Sequence, residues 1–189
     1  MLKILDTSRE IPEYIDGTIV NNLEFTDQII RPNYGKPLAK VFPSLTIEIS
    51  TRNPRADYFQ SGGHHFVSAR LKKQLEAMGV NGEFFGVTLA SNGELISDNG
   101  YFYLNLLDVV ECLDEVNGRY SYSQRPGSSN RVDKLFRLVL REESTVGHHL
   151  FYVARLTRAY TIASQELQDA IKAGRFSGVA FRPLEWCTV

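Results

Sequence analysis

The chain states one pattern twice. His65–Phe85 reads HFVSARLKKQLEAMGVNGEFF, and Ile162–Phe181 reads IASQELQDAIKAGRFSGVAF. A constant offset of 96 (164 − 68) lays Ser68 on Ser164, Leu71 on Leu167, Leu75 on Ile171, Val80 on Phe176, Gly82 on Gly178 and Phe85 on Phe181. Each copy predicts a short strand, a serine, one amphipathic helix, a glycine-bearing turn and a return strand. In the first helix, Ala69–Met78, the residues Leu71, Leu75 and Met78 form one stripe, while Lys72, Lys73, Gln74 and Glu76 take the wet face. Ser68 suits an N-cap, because its hydroxyl can accept an orphan N–H, and Gly79 suits the C′ position. Arg70 in the first turn opposes the helix dipole. The second helix, Gln165–Ala173, turns Leu167, Ala170 and Ile171 inward, carries Glu166 at its favourable end and stops at Gly174. The duplication dictates architecture and supplies no chemistry. Two matching serines at two helix starts fit capping.

The remaining segments predict strands. Pro12, Pro32, Pro37, Pro43 and Pro54 crowd the first sixty residues, where lost donors and restricted neighbours exclude long helices. Residues 1–60 therefore read as an irregular part of short strands and loops, and residues 61–189 as the core of one domain. SLTIEIST (Ser44–Thr51) alternates Leu45, Ile47 and Ile49 against polar neighbours, as a half-buried strand does. A loose N-terminal arm would strand Tyr14, Phe25, Tyr34 and Phe42 in water. Glu83–Leu89 and Tyr101–Asn105 have strand composition, Ser91–Glu94 is a turn, and Leu106–Leu113 fits either strand or a short helix. Glu111–Arg131 is a polar, turn-rich excursion. Leu135–Leu140 and Leu150–Leu156 are further strands, with Glu142–Gly147 of hairpin-loop length between them. The tail tucks Trp186 against the body. Six or more strands with two helices read as α+β: a mainly antiparallel, curved sheet with both amphipathic helices on one side, in duplicated strand-helix-strand units.

Bulk properties narrow the function. The 189 residues carry a net charge of −1, so nothing global favours nucleic acid. The two cysteines, Cys112 and Cys187, are too few for a secreted disulfide framework and read as buried thiols in a reducing compartment. Neither a signal peptide, a membrane span nor a lipidation motif is evident, so a soluble, cytoplasmic protein is expected.

Catalytic signatures are scarce. His64-His65 and His148-His149 are adjacent pairs, and neighbours on a strand point to opposite faces. A metal site would need one histidine from each pair plus a carboxylate such as Asp57. Zinc spacings, a phosphate loop, a dinucleotide fingerprint and a GxSxG elbow are all missing. No cofactor is called for. One cluster stands out instead: Asp108, Glu111, Asp114 and Glu115, with Tyr120 and Tyr122 beside them. Such a cluster is either a solvated face or an acidic patch for a basic partner, with the tyrosines as anchors. Arg119, Arg125 and Arg131 dilute its charge.

Several of these residues resemble a known family. Val67-Ser68 with Leu71, the tyrosine-rich strand leading to Leu113-Asp114, Leu135-Phe136-Arg137, and Gly178 to Phe181 with Pro183 occur in the order seen in a bacterial immunity-protein family of polymorphic toxin systems. The resemblance covers roughly residues 40 to 189. It departs at Ala163-Ser164, where the family carries Val-Ser. The resemblance implies a non-enzymatic, cytoplasmic antidote that binds its cognate toxin, and it carries over no catalytic residue. Two other classes stay open: a small metal-dependent hydrolase built on the histidine pairs, and a scaffold that homodimerises through an exposed edge strand.

Overall fold

The computed structural model describes residues 1–8, 15–21, 34–39, 42–52, 54–96, 100–125, 130–156 and 160–187. Tyr14, Phe25 and the Trp186 side chain lie outside that description. The architecture is α+β, but the strands divide among four sheets instead of one curved sheet. Strands β4 (Tyr58–Ser61), β5 (His64–Ser68), β9 (Tyr101–Leu106) and β6 (Gly82–Gly86) form an antiparallel sheet in that order. Strands β10 (Val109–Val110), β13 (Leu150–Val153), β14 (Thr161–Ala163), β1 (Lys3–Thr7) and β15 (Val179–Arg182) form a second. The third runs β2 (Gly17–Ile19), β3 (Thr46–Ile49), β7 (Thr88–Ser91) and β8 (Glu94–Ile96). Strands β11 (Arg119–Tyr122) and β12 (Val132–Arg137) pair as a separate ribbon. The predicted strand Glu83–Leu89 breaks at Val87, which lets β6 pair with β9 and β7 with β3. Glu142–Gly147 does not close a hairpin: β12 and β13 belong to different sheets.

Alternating residues explain the layering. On β5 and β9, Phe66 and Tyr103 enter one core with Ile47, Ile49 and Leu89, while Val67 and Leu104 enter another. On β13 and β14, Leu150 and Ala163 share that second core, while Phe151 and Ile162 face a third with Val132 and Leu135. Both principal sheets are thus covered on both faces, which is why their strands read as nearly continuous apolar runs. The middle core also takes Leu71 and Leu75 of α1 (Ala69–Ala77) and Leu167 and Ile171 of α2 (Gln165–Ala173). The two helices therefore share the core between the principal sheets.

The repeat is visible atom by atom at the helices. Ser68 and Ser164 are both N-caps, accepting from the backbone N–H of Leu71 and Leu167. Both helices end in the same Schellman pattern: Val80 N–H to Leu75 carbonyl, and Phe176 N–H to Ile171 carbonyl. The left-handed residue is Gly79 in the first copy and Arg175, at φ 50°, in the second. Gly174 ends the second helix as expected, as its C-cap and in a right-handed conformation. The match fails one turn later. Phe84 lies opposite Leu104, and Phe181 lies opposite Leu5. Phe181 thus occupies the place of Phe84, not Phe85, and Phe85 instead stacks on Phe42 in another core. The cause is Gly178, at φ 83°, whereas Gly82 is an ordinary strand residue. A Cβ at Gly178 would collide with the carbonyl oxygen of Tyr58. One left-handed residue shifts the strand by one, and a one-residue shift exchanges its faces.

The central strands come from different places. In the first unit β9 lies between β5 and β6; in the second, β1 from the start of the chain lies between β14 and β15. Residues 3–7 therefore complete the second unit, and the N-terminal part is more than an appendage. Farther along, Glu83 accepts from the backbone N–H of Leu38, and Asn105 donates to Lys36, fastening residues 34–39 to the first sheet.

A buried polar chain joins the two units. His65 and Thr161 occupy equivalent strand positions and meet directly, Nε2 to Oγ1 at 2.9 Å. The Tyr58 hydroxyl lies 2.7 Å from Nδ1 of the same ring and accepts from Gln60 at 2.8 Å. With Tyr58 donating to Nδ1 and Nε2–H donating to Thr161, every member is satisfied. Burial, and then neighbouring His64, lower the His65 pKa from 6.5 to about 4. The imidazole is neutral at pH 7. An unfolded chain binds its proton near 6.5 and the folded one near 4, so this contribution is complete above pH 6.5 and declines as pH falls to 4. The loss amounts to about 3 kcal/mol. Urea unfolding across that window should show the decline in the wild type and a markedly flatter profile in His65→Gln.

Candidate functional site

The histidines are dispersed. His64 and His65 face opposite sides of β5, His64 toward Tyr103 and His65 toward Thr161. His148 bonds Asp108 through Nδ1 at 2.9 Å, and His149 bonds Ser164 at 3.1 Å. Asp57 accepts from Ser68, Arg70 and the Ser177 backbone. Burial alone would raise the Asp57 pKa, but these donors, Arg70 foremost, hold it below the usual carboxylate range. Among the described residues, no three His, Cys, Asp or Glu side chains converge to hold a metal ion. Cys112 is fully buried, and burial pushes its thiol up to about 11.

Cavities add little chemistry. The space between the repeats, lined by Leu5, Leu71, Leu104, Leu167 and Phe181, retains about 10 Å³. That is too small for an ordinary small-molecule ligand. A cleft of about 220 Å³ opens beside Met1, Val146, His148, His149 and the start of α2. Its polar rim is engaged internally: His148 by Asp108, and His149 and Glu166 by Ser164.

The acidic cluster divides in two. Asp108 sits apart, accepting from Asn81 at 2.7 Å and contacting His148. The other three carboxylates gather at the foot of the β11–β12 ribbon. Asp114 caps its own turn, accepting from the backbone N–H groups of Val116 and Asn117 and from the Asn117 side chain. The Asn117 contacts hold its pKa below the usual range. Val116, at the tip of that turn, is 90% exposed. The Tyr120 hydroxyl donates to the Asp114 carbonyl. Glu111 and Glu115 both bind one cation, Arg155, at 3.0 and 2.7 Å. Tyr122 donates to Glu115 at 2.9 Å and lies within reach of the same guanidinium.

Arg155 has no local signature in the sequence, since its partners lie about 40 residues away. Among the described residues it is one of three non-glycine residues with positive φ, at 66°. Its carbonyl accepts from Val132 N–H at 2.8 Å. Backbone and side chain together clamp the ribbon to the body. The ribbon's inner face, Val132 and Leu135 with Tyr120 and Tyr122, packs into the third core. The tyrosines expected as partner anchors are therefore half-buried, and Glu111 and Glu115 are tied into this clamp.

These elements define an α+β scaffold that displays a clamped ribbon. The chain belongs to the immunity protein family Imm11, whose family model matches residues 19–185. That match reaches well into the N-terminal part that the motif resemblance left out, in keeping with the fastening of residues 34–39 to the first sheet. No curated protein matches the chain. Membership suggests a toxin-immunity role without catalysis. No helix among the described residues is long and apolar enough to cross a membrane.

Replacing Arg155 with Gln removes the shared cation. Amide exchange should accelerate in Arg119–Tyr122 and Val132–Arg137 while β5 and β9 keep their protection. Unchanged exchange in the ribbon would show that Arg155 is not its clamp.

Proposed function

We propose that this protein is a cytoplasmic immunity protein that binds a cognate bacterial toxin and neutralises it by protein–protein contact. The family match over residues 19–185 carries the reading. The engagement of Asp57, His65, His148 and His149 in internal hydrogen bonds supports binding over catalysis. Neutralisation needs only a tight interface of about 1,600 Å² in total, with a few aromatic and charged anchors. Such a patch plugs the toxin's cleft or excludes its substrate. The contact region proposed is the ribbon and its foot, with Glu111, Asp114, Glu115, Tyr120 and Tyr122, and with Asp108 at its margin. The setting is a polymorphic toxin system, in which the antidote protects its producer during bacterial competition.

The test is survival. A host expressing the toxic domain encoded by a neighbouring reading frame should recover when this protein is co-expressed, and the two should co-elute as a stoichiometric complex. Failure to protect against every adjacent toxin candidate would refute the proposal.

A further inference from the structure

The ribbon's outer face differs from its foot. Strand β12 carries two irregularities, between Arg119 and Tyr120 and between Ser121 and Tyr122 in the pairing with β11. They change the alternation, so that burial along β12 runs one in, two out: Val132 and Leu135 are buried, whereas Asp133, Lys134, Phe136 and Arg137 are exposed. Bulges of this kind re-aim side chains. The register places Arg119 directly opposite Arg137 and Lys134 opposite Ser121. Like charges opposed across a strand pair are destabilising. Arg119 lies over the Phe136 ring, 5.3 Å from its centroid, and Phe136 is still 43% exposed. Among the described residues, none of Arg119, Arg131, Lys134 and Arg137 has a carboxylate partner within ion-pair distance. Of the nearby acids at the foot, Glu111 and Glu115 are committed to Arg155 and Asp114 to its own turn. Asp133 supplies one negative charge on the face. A chain of net charge −1 thus places Arg119, Lys134 and Arg137, with no carboxylate partner among the described residues, on the same short ribbon as a partly exposed aromatic ring.

We infer that this outer face, formed by Arg119, Lys134, Phe136 and Arg137, docks an acidic surface of the toxin. The inference rests on the immunity reading and specifies its partner: the complementary site is acidic with an apolar centre. Arginine and phenylalanine are enriched in protein interfaces, and a rim of cations around an aromatic anchor matches that anatomy. An acidic partner would offset the Arg119–Arg137 repulsion. Besides lying in the proposed contact region, Glu111 and Glu115 hold Arg155 and, through it, the face.

The experiment uses the toxic domain that protects-or-kills assays identify, and the full chain with Arg119→Gln, Lys134→Gln and Arg137→Gln combined. The wild type should associate quickly, with a rate that falls steeply between low and high salt. The triple variant should associate at least 10-fold more slowly at low salt and lose most of the salt dependence. Its thermal midpoint should match or exceed that of the wild type, because a repulsive pair is removed. Phe136→Ala, a second variant, should speed dissociation with the salt dependence retained. A triple variant that folds, binds and protects as well as the wild type overturns the inference alone. A wild type that neither binds nor protects overturns the immunity reading and this inference with it. A labelled nucleic-acid duplex that binds the wild type and is lost in the triple variant, with toxin binding unchanged, assigns the face to nucleic acid and also overturns it.

Discussion

Asp57 is the point at which the two repeats become one structure. Its carboxylate accepts from the N-cap hydroxyl of the first helix, from Arg70 and from the Ser177 backbone just before the last strand. Its own N–H donates to the Ser177 carbonyl. Arg70 continues across the seam, donating to the carbonyls of Gly174 and Arg175 and lying 4.1 Å from the Phe176 ring centroid. A side chain that opposes the dipole of its own helix thereby caps the C-terminal end of the other. The carboxylate is almost wholly buried and held ionised by these donors. Removing such a charge's partners, or the charge itself, leaves buried groups uncompensated.

Around that seam the symmetry is used and then broken. Helices, caps and C-terminal turns repeat closely, and His65 meets Thr161 across the join. Past the helices, Gly178 takes a left-handed conformation beside Tyr58, and the last strand slips by one residue. A second asymmetry is topological, because the chain's own start supplies the central strand of the second unit. The first departure falls where the last strand passes the backbone of Tyr58, and the second lies within the second sheet.

The parts legible in the sequence were those governed by local rules. Helix stripes, serine caps, the alternation at Ile47 and Ile49, and the Asn92-Gly93 turn follow from periodicity and turn chemistry over a few residues. Sheet membership did not, since β12 and β13 look like hairpin partners by spacing yet lie in different sheets. Arg70 and Arg155 were equally opaque, because their partners lie about a hundred and about forty residues away. The acidic cluster was visible as composition, but its consumption by Arg155 and by its own turn was not. The cationic outer face was hidden for a related reason: bulges on β12 convert a two-residue period into a three-residue one.

The scaffold account assigns the repeats to holding a surface in place. Its most direct test is equilibrium unfolding of Asp57→Asn, followed by intrinsic fluorescence and by exchange at amides of both repeats. The account predicts a loss of about 3 kcal/mol or more, with amides of the first and second repeats losing their common transition. A variant as stable as the wild type, unfolding in one cooperative step, would contradict the claim that this carboxylate joins the two halves.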